Sequence, residues 1–160
     1  MIKTVMEKLF VICPFSHLEQ RLKLKYGDNP YFITVPGVYV LNNLESIQVA
    51  IVQNKINELI LVTDLNCSFV ESIICRKKLH GLSYEKHLEN IYIENFNNYF
   101  VNNKIENQKY NLIKLNLNFQ LLELERNEFF IKNKIKNKGL IYNHTNYLFE
   151  TIEKTNTLVK

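Results

Sequence analysis

The chain has 160 residues, 46% hydrophobic and 22% charged, with four Gly, three Pro and a formal net charge of +4. That length suits one domain spanning residues 1–160 that buries about two-thirds of its unfolded surface, and the ordinary composition excludes a disordered or low-complexity chain. No apolar run approaches the roughly 18 residues of a membrane span, residues 1–8 carry no export signal, and three cysteines make no disulfide framework. The expected compartment is therefore the cytoplasm, with reduced thiols and no membrane partner.

Leu9, Phe10, Val11, Ile12 and Cys13 form a continuous apolar run closed by Pro14, the pattern of a strand buried on both faces of a parallel sheet. Ser16 and Glu19 match a capping box, and Leu18, Leu22 and Tyr26 recur at helical spacing. A helix is thus expected directly after Cys13. Gly27-Asp28-Asn29-Pro30 ends it, and residues 31–35 read as a second strand closed by Pro36 and Gly37. Asn42 or Asn43 can cap a helix with Leu44, Ile47 and Ile51 on one face. Residues 59–64 are a third buried strand. Asn66 is the expected N-cap of the next helix, which places Cys67 in its first turn, turns Phe69, Val70, Ile73 and Ile74 inward and leaves Gly81 just beyond its end.

Residues 83–100 carry Leu88, Ile91, Tyr92, Phe96 and Tyr99 at helical spacing, an insertion without chemistry of its own. Between 110 and 124, alternation fits a strand and Leu112, Leu115, Phe119 and Leu122 fit a helix; length and the Glu-rich end favour the helix. A further helix from Asn127 is expected to end at Gly139. Residues 140–142 and 148–152 then flank Asn143-His144-Thr145-Asn146 as a strand, turn and strand hairpin. Alternating strands and helices closed by a hairpin imply an α/β fold with a mostly parallel sheet and an antiparallel edge. Basic residues cluster at 76–78 and 132–138, where helix C-termini favour cations, and no aromatic-interleaved motif accompanies them. No nucleic-acid partner is expected.

Cys13 follows the first strand and Cys67 the third, and in an open α/β sheet ligands bind in the crevice outside such strand ends. Asp64 leaves the same strand as Cys67. Two thiols and a carboxylate make a donor set that zinc accepts. Packing is the competing role for each Cys, and helix capping for Asp64. His17 reads as an exposed first-turn residue or a fourth ligand. Cys75, His80, His87 and His144 have no partner at metal spacing and read as structural or surface residues.

The order of these parts resembles the β-class carbonic anhydrases. That family places Cys-x-Asp-x-Arg after strand one, a Gly-Asp turn before a strand ended by Arg-Asn-Ala-Gly, and His-x-x-Cys after strand three. The corresponding stretches here are Cys13-Pro14-Phe15-Ser16-His17, Gly27-Asp28 with Thr34-Val35-Pro36-Gly37, and Asp64-Leu65-Asn66-Cys67. Residues 116–124 resemble the family's helix and 139–152 its closing hairpin, so the likeness runs from about residue 8 to 153. It implies a mostly parallel sheet in the order 2-1-3-4 with an antiparallel edge strand, helices on both faces, and a zinc cofactor. It also implies a homodimer whose pocket lies at the subunit interface and takes a small ligand resembling carbon dioxide or bicarbonate. The family's long N-terminal arm is not matched; the apolar edge of the second strand still calls for a dimer.

The departures decide what the likeness implies for activity. In the family, Cys, His and Cys hold zinc, whose bound water becomes hydroxide and attacks carbon dioxide; the Asp orients that water and the Arg holds the Asp. Phe15 stands at the Asp position and His17 at the Arg position. With Asp64 in place of His, the ligands Cys13, Asp64 and Cys67 would carry three negative charges and acidify a bound water less. The expectation is a divergent relative with a rearranged zinc site and weak or absent hydration, a pseudoenzyme with a binding or regulatory role. His17 could close that site as fourth ligand, and Phe15 is expected to fill the pocket. The alternatives are a working zinc-dependent lyase or hydrolase on a small carbon dioxide-like substrate, and a metal-free interaction protein. A further possibility makes Cys67 a nucleophile or redox thiol, its pKa lowered at a helix N-terminus, with His17 as base.

Overall fold

The computed structural model describes residues 7–27 and 29–152. The reading of residues 1–6 as free of an export signal, and the Asp28 of the Gly-Asp turn, lie outside the described residues. The strands are β1 (Lys8–Ile12), β2 (Tyr31–Thr34), β3 (Glu58–Asp64), β4 (Lys136–Asn143) and β5 (Leu148–Ile152). They form one sheet in the order β2-β1-β3-β4-β5, parallel except for the antiparallel β4–β5 pair. This is the expected order. β3 is buried at every position because strands lie on both sides of it and helices cover both faces.

Side chains alternate across the sheet and build two cores. Leu9, Val11, Leu59, Leu61 and Ile141 face the larger one, beneath α2 (Leu44–Asn54), α3 (Ser68–Ile74), α4 (Ser83–Glu94) and α6 (Ile105–Arg126). Phe10, Ile12, Ile60, Val62, Leu140 and Tyr142 face the smaller one, where α1 (Glu19–Tyr26) contributes Leu22 and the residue before it, Leu18. Each fully buried Leu, Ile or Phe contributes about 1.5–3 kcal/mol, so the apolar strand runs are the main source of stability.

The ambiguous segment 110–124 lies within α6. Its strand-like alternation arises because Asn116, Asn118 and Gln120 are buried among the leucines. Gln120 Oε1 accepts the Val40 N–H (2.8 Å), and Asn116 Oδ1 bonds His87 Nε2 (2.8 Å). Buried amides at these positions are therefore satisfied, and the helix keeps them.

Three local expectations change. α1 starts at Glu19, not directly after Cys13, because the Ser16 N–H and Oγ both donate to the Cys13 carbonyl (3.1 and 2.8 Å) and close a tight turn before it. The helix from Asn127 is only α7 (Glu128–Lys132), capped by Asn127 Oδ1 on the Phe129 N–H (3.0 Å). Gly139 lies inside β4 instead of ending a helix, and Leu117 packs where its side chain would stand. The insertion holds α4 and the short α5 (Phe96–Tyr99).

Candidate functional site

β1 delivers Cys13 to the C-terminal edge of the sheet. The turn that follows puts His17 in a left-handed conformation (φ 54°) and leaves its side chain in solvent. The Gly37 N–H donates to Cys13 Sγ (3.3 Å). Gly37 has φ 66°, and a side chain there would run into the ring of Tyr84, so glycine alone lets the backbone approach the sulfur. The Tyr84 hydroxyl accepts from Asn116 Nδ2 (3.4 Å). Burial pushes the Tyr84 hydroxyl well above its usual pKa.

β3 delivers Asp64. Its Oδ1 accepts the Asn66 N–H (2.8 Å) and its carbonyl accepts the Cys67 N–H (3.0 Å), a turn that the carboxylate closes on itself. His144 Nε2 lies 2.6 and 2.7 Å from the two carboxylate oxygens. An ionised carboxylate only accepts, so Nε2 carries the proton and Nδ1 faces away from the pair. The imidazole stands edge-on to Tyr142 (4.7 Å), whose carbonyl accepts the Leu65 N–H (3.1 Å). The β3 loop is thus tied to the β4–β5 hairpin by side chain and backbone together.

Asn66 is not the N-cap of α3; Cys67 is. Burial pushes the Cys67 thiol up to about 11, with the neighbouring Cys13 and Asp64 adding to the effect, while the Val70 and Phe69 N–H groups oppose it. The expected lowering by a helix terminus is overridden, and the thiol is protonated near neutral pH. The nucleophile reading loses its activated thiol, and His17 stands in solvent.

Cys13, Asp64 and Cys67 do line one cavity of about 190 Å³, together with Phe15, Ser16 and Phe69. Phe15 does not fill it: the ring is 69% exposed and stands at the rim. Cys75 and His80 are exposed as expected. His87 is half-buried, stacked on Tyr39 (4.7 Å), and burial lowers its pKa. His144 is the residue that sequence reasoning set aside. The signal that could have found it is register: Asp64 pairs with Tyr142, so the residue two beyond Tyr142 comes level with the end of β3.

Zinc requires deprotonated thiols and further donors turned towards one point. Here both Asp64 oxygens face His144, and one of them also holds the Asn66 N–H. Among the described residues, no group of three or more His, Cys, Asp and Glu side chains is arranged to hold a metal ion. The donor types suit zinc, but as arranged they do not fit a zinc centre.

No family model matches the sequence, and no curated protein matches it. Solved structures do. The β-carbonic anhydrase CafA of Aspergillus fumigatus superposes with a TM-score of 0.76 at 15% identity, over 96% of this chain and 79% of that one. One of two tetrameric β-carbonic anhydrases from Sordaria macrospora gives 0.76 at 11% identity, over 91% and 80%. The Coccomyxa β-carbonic anhydrase in complex with acetazolamide gives 0.71 at 11% identity, over 91% and 71%. The chain therefore has the β-carbonic anhydrase fold. Among the described residues, no helix is long and apolar enough to cross a membrane.

Proposed function

We propose that this protein is a divergent β-carbonic anhydrase-like pseudoenzyme that does not hydrate carbon dioxide and acts in the cytoplasm as a binding or regulatory homodimer. The observation that carries this reading is the Asp64–His144 pair, which occupies the carboxylate standing at the family's histidine ligand position. Hydration needs a cation to draw the proton from water and a carboxylate to orient the resulting hydroxide. The position from which the family orients hydroxide bears Phe15, whose ring can accept no such bond, and His17 stands where the family's Arg would steady that carboxylate. The cavity of about 190 Å³ remains large enough for a small ligand such as bicarbonate. The β2 edge, paired among the described residues with β1 alone, supports the dimer, since an uncovered apolar edge invites a partner strand. Stopped-flow hydration with zinc supplied tests the reading. The expected rate equals that of buffer with zinc; catalysis lost in Cys13→Ser overturns it.

A second reading keeps zinc on Cys13, Asp64 and Cys67, with weak lyase activity. What supports it is that the three line one cavity. It requires Asp64 to leave His144. Metal content of protein purified without chelator separates the two: one zinc per chain, lost in Cys13→Ser, favours the second reading, and metal-free folded protein favours the first.

A further inference from the structure

A separate surface, on the α1 side of the sheet, joins exposed apolar groups to cations. α1 turns Leu22 into the core, and the residue two positions on, Leu24, stands outward with 86% of its surface exposed. Beside it the tip of the β4–β5 hairpin presents Tyr147 and Leu148, 65% and 63% exposed. Arg21, Leu24, Lys25, Tyr147, Leu148 and Phe149 line one shallow groove of about 330 Å³, and no acidic residue lines it. The Arg21 guanidinium lies over the Tyr142 and Tyr147 rings (5.2 and 5.3 Å), and Lys25 Nζ over Phe149 (5.3 Å). Lys23 lies over Phe32 (5.8 Å). The rings hold these cations beside the apolar crest without neutralising them.

Single exposed leucines need no explanation, but clustered ones ringed by cations do. We propose that this face docks on an anionic lipid bilayer. Leu24, Leu148 and the ring of Tyr147 enter the boundary between headgroups and acyl chains, and Arg21, Lys23 and Lys25 meet lipid phosphates. A bilayer is favoured over an acidic peptide because Leu24 stands out from the surface. A peptide in the groove would cover only the side of Leu24 that lines it, whereas a deformable surface seals around the whole side chain. The contact lies on the membrane's face and needs no spanning helix. It rests on none of the cavity residues and survives or fails independently of the function proposed above.

Co-sedimentation with vesicles of phosphatidylserine and phosphatidylcholine tests it. The protein is expected to pellet with these vesicles, to be released by salt, and to stay in solution with phosphatidylcholine alone. Arg21→Gln with Lys25→Gln lowers partitioning about twenty-five-fold, since each cation near an anionic surface contributes roughly fivefold. Leu24→Asn weakens it further, and all three positions are exposed, so folding is preserved. Lys86→Gln with Lys132→Gln makes the same charge change on helices of the opposite face and leaves partitioning within about twofold. Overturning results are no pelleting with anionic vesicles, equal pelleting with neutral ones, an equal loss in the distal pair, or pelleting without vesicles, which would show self-association.

Discussion

The loops that leave β1 and β3 line the same cavity, yet they are held in opposite ways. The β1 loop closes on itself through Ser16 and the Cys13 carbonyl, leaving Phe15 and His17 in solvent. The β3 loop is anchored across the sheet, with Asp64 on His144 and Leu65 on the Tyr142 carbonyl. The β1 loop departs from the family's residues at two solvent-exposed positions. The β3 loop departs at one buried position, and a second residue, His144, completes it. Side chains in water can change at little cost to folding, whereas a buried carboxylate needs a partner.

The largest effect that can break this comparison lies under the β1 loop. Gly37→Ala meets the Tyr84 ring at a left-handed backbone position, and the expected loss is about 3–4 kcal/mol in urea unfolding. A loss below about 1 kcal/mol would mean that Tyr84 moves freely and that the Cys13 contact is not enforced. Next is the Cys67 thiol. With its pKa raised from 9.0 to about 11, its thiolate is about a hundredfold scarcer at pH 8 than in the unfolded chain. Alkylation of folded protein should therefore lag at Cys67 and keep accelerating beyond pH 9 towards 11; a plateau near pH 9 refutes the burial account. The sign for stability follows: the folded state holds this proton more tightly, so stability falls as pH rises from about 9 to 11.

Asp64→Ala comes third. It leaves the Asn66 N–H and His144 without their acceptor, at about 2 kcal/mol, read by the same unfolding curves. The smallest effect is expected from Phe15→Asp with His17→Arg, which restores the family's residue types in the solvent-facing loop. Stability should stay within about 0.5 kcal/mol, and hydration should remain absent because Asp64 is unchanged. Appearance of hydration would place the defect in the β1 loop alone.

Much of the fold was legible because the central strands are solidly apolar: residues 9–12 and 59–62 could be little else in a sheet covered on both faces. Helix α6 was legible by length despite Asn116, Asn118 and Gln120, which break its apolar stripe. The local errors share one cause. Ser16 and Gly139 are residue types with strong end-of-helix preferences; a local turn onto the Cys13 carbonyl overrode the first and tertiary packing against Leu117 the second. The cavity's three donors could be named from strand order alone. Their present bonding could not, because the His144 contact depends on β3–β4 register across 80 positions, and the Cys67 proton depends on burial that spacing does not reveal.

The most direct test is a crystal structure of the protein grown with excess zinc. The account predicts Asp64 still paired with His144 through both oxygens, and no metal between Cys13 and Cys67. Zinc bound by Cys13, Asp64 and Cys67, with His144 displaced, would contradict it.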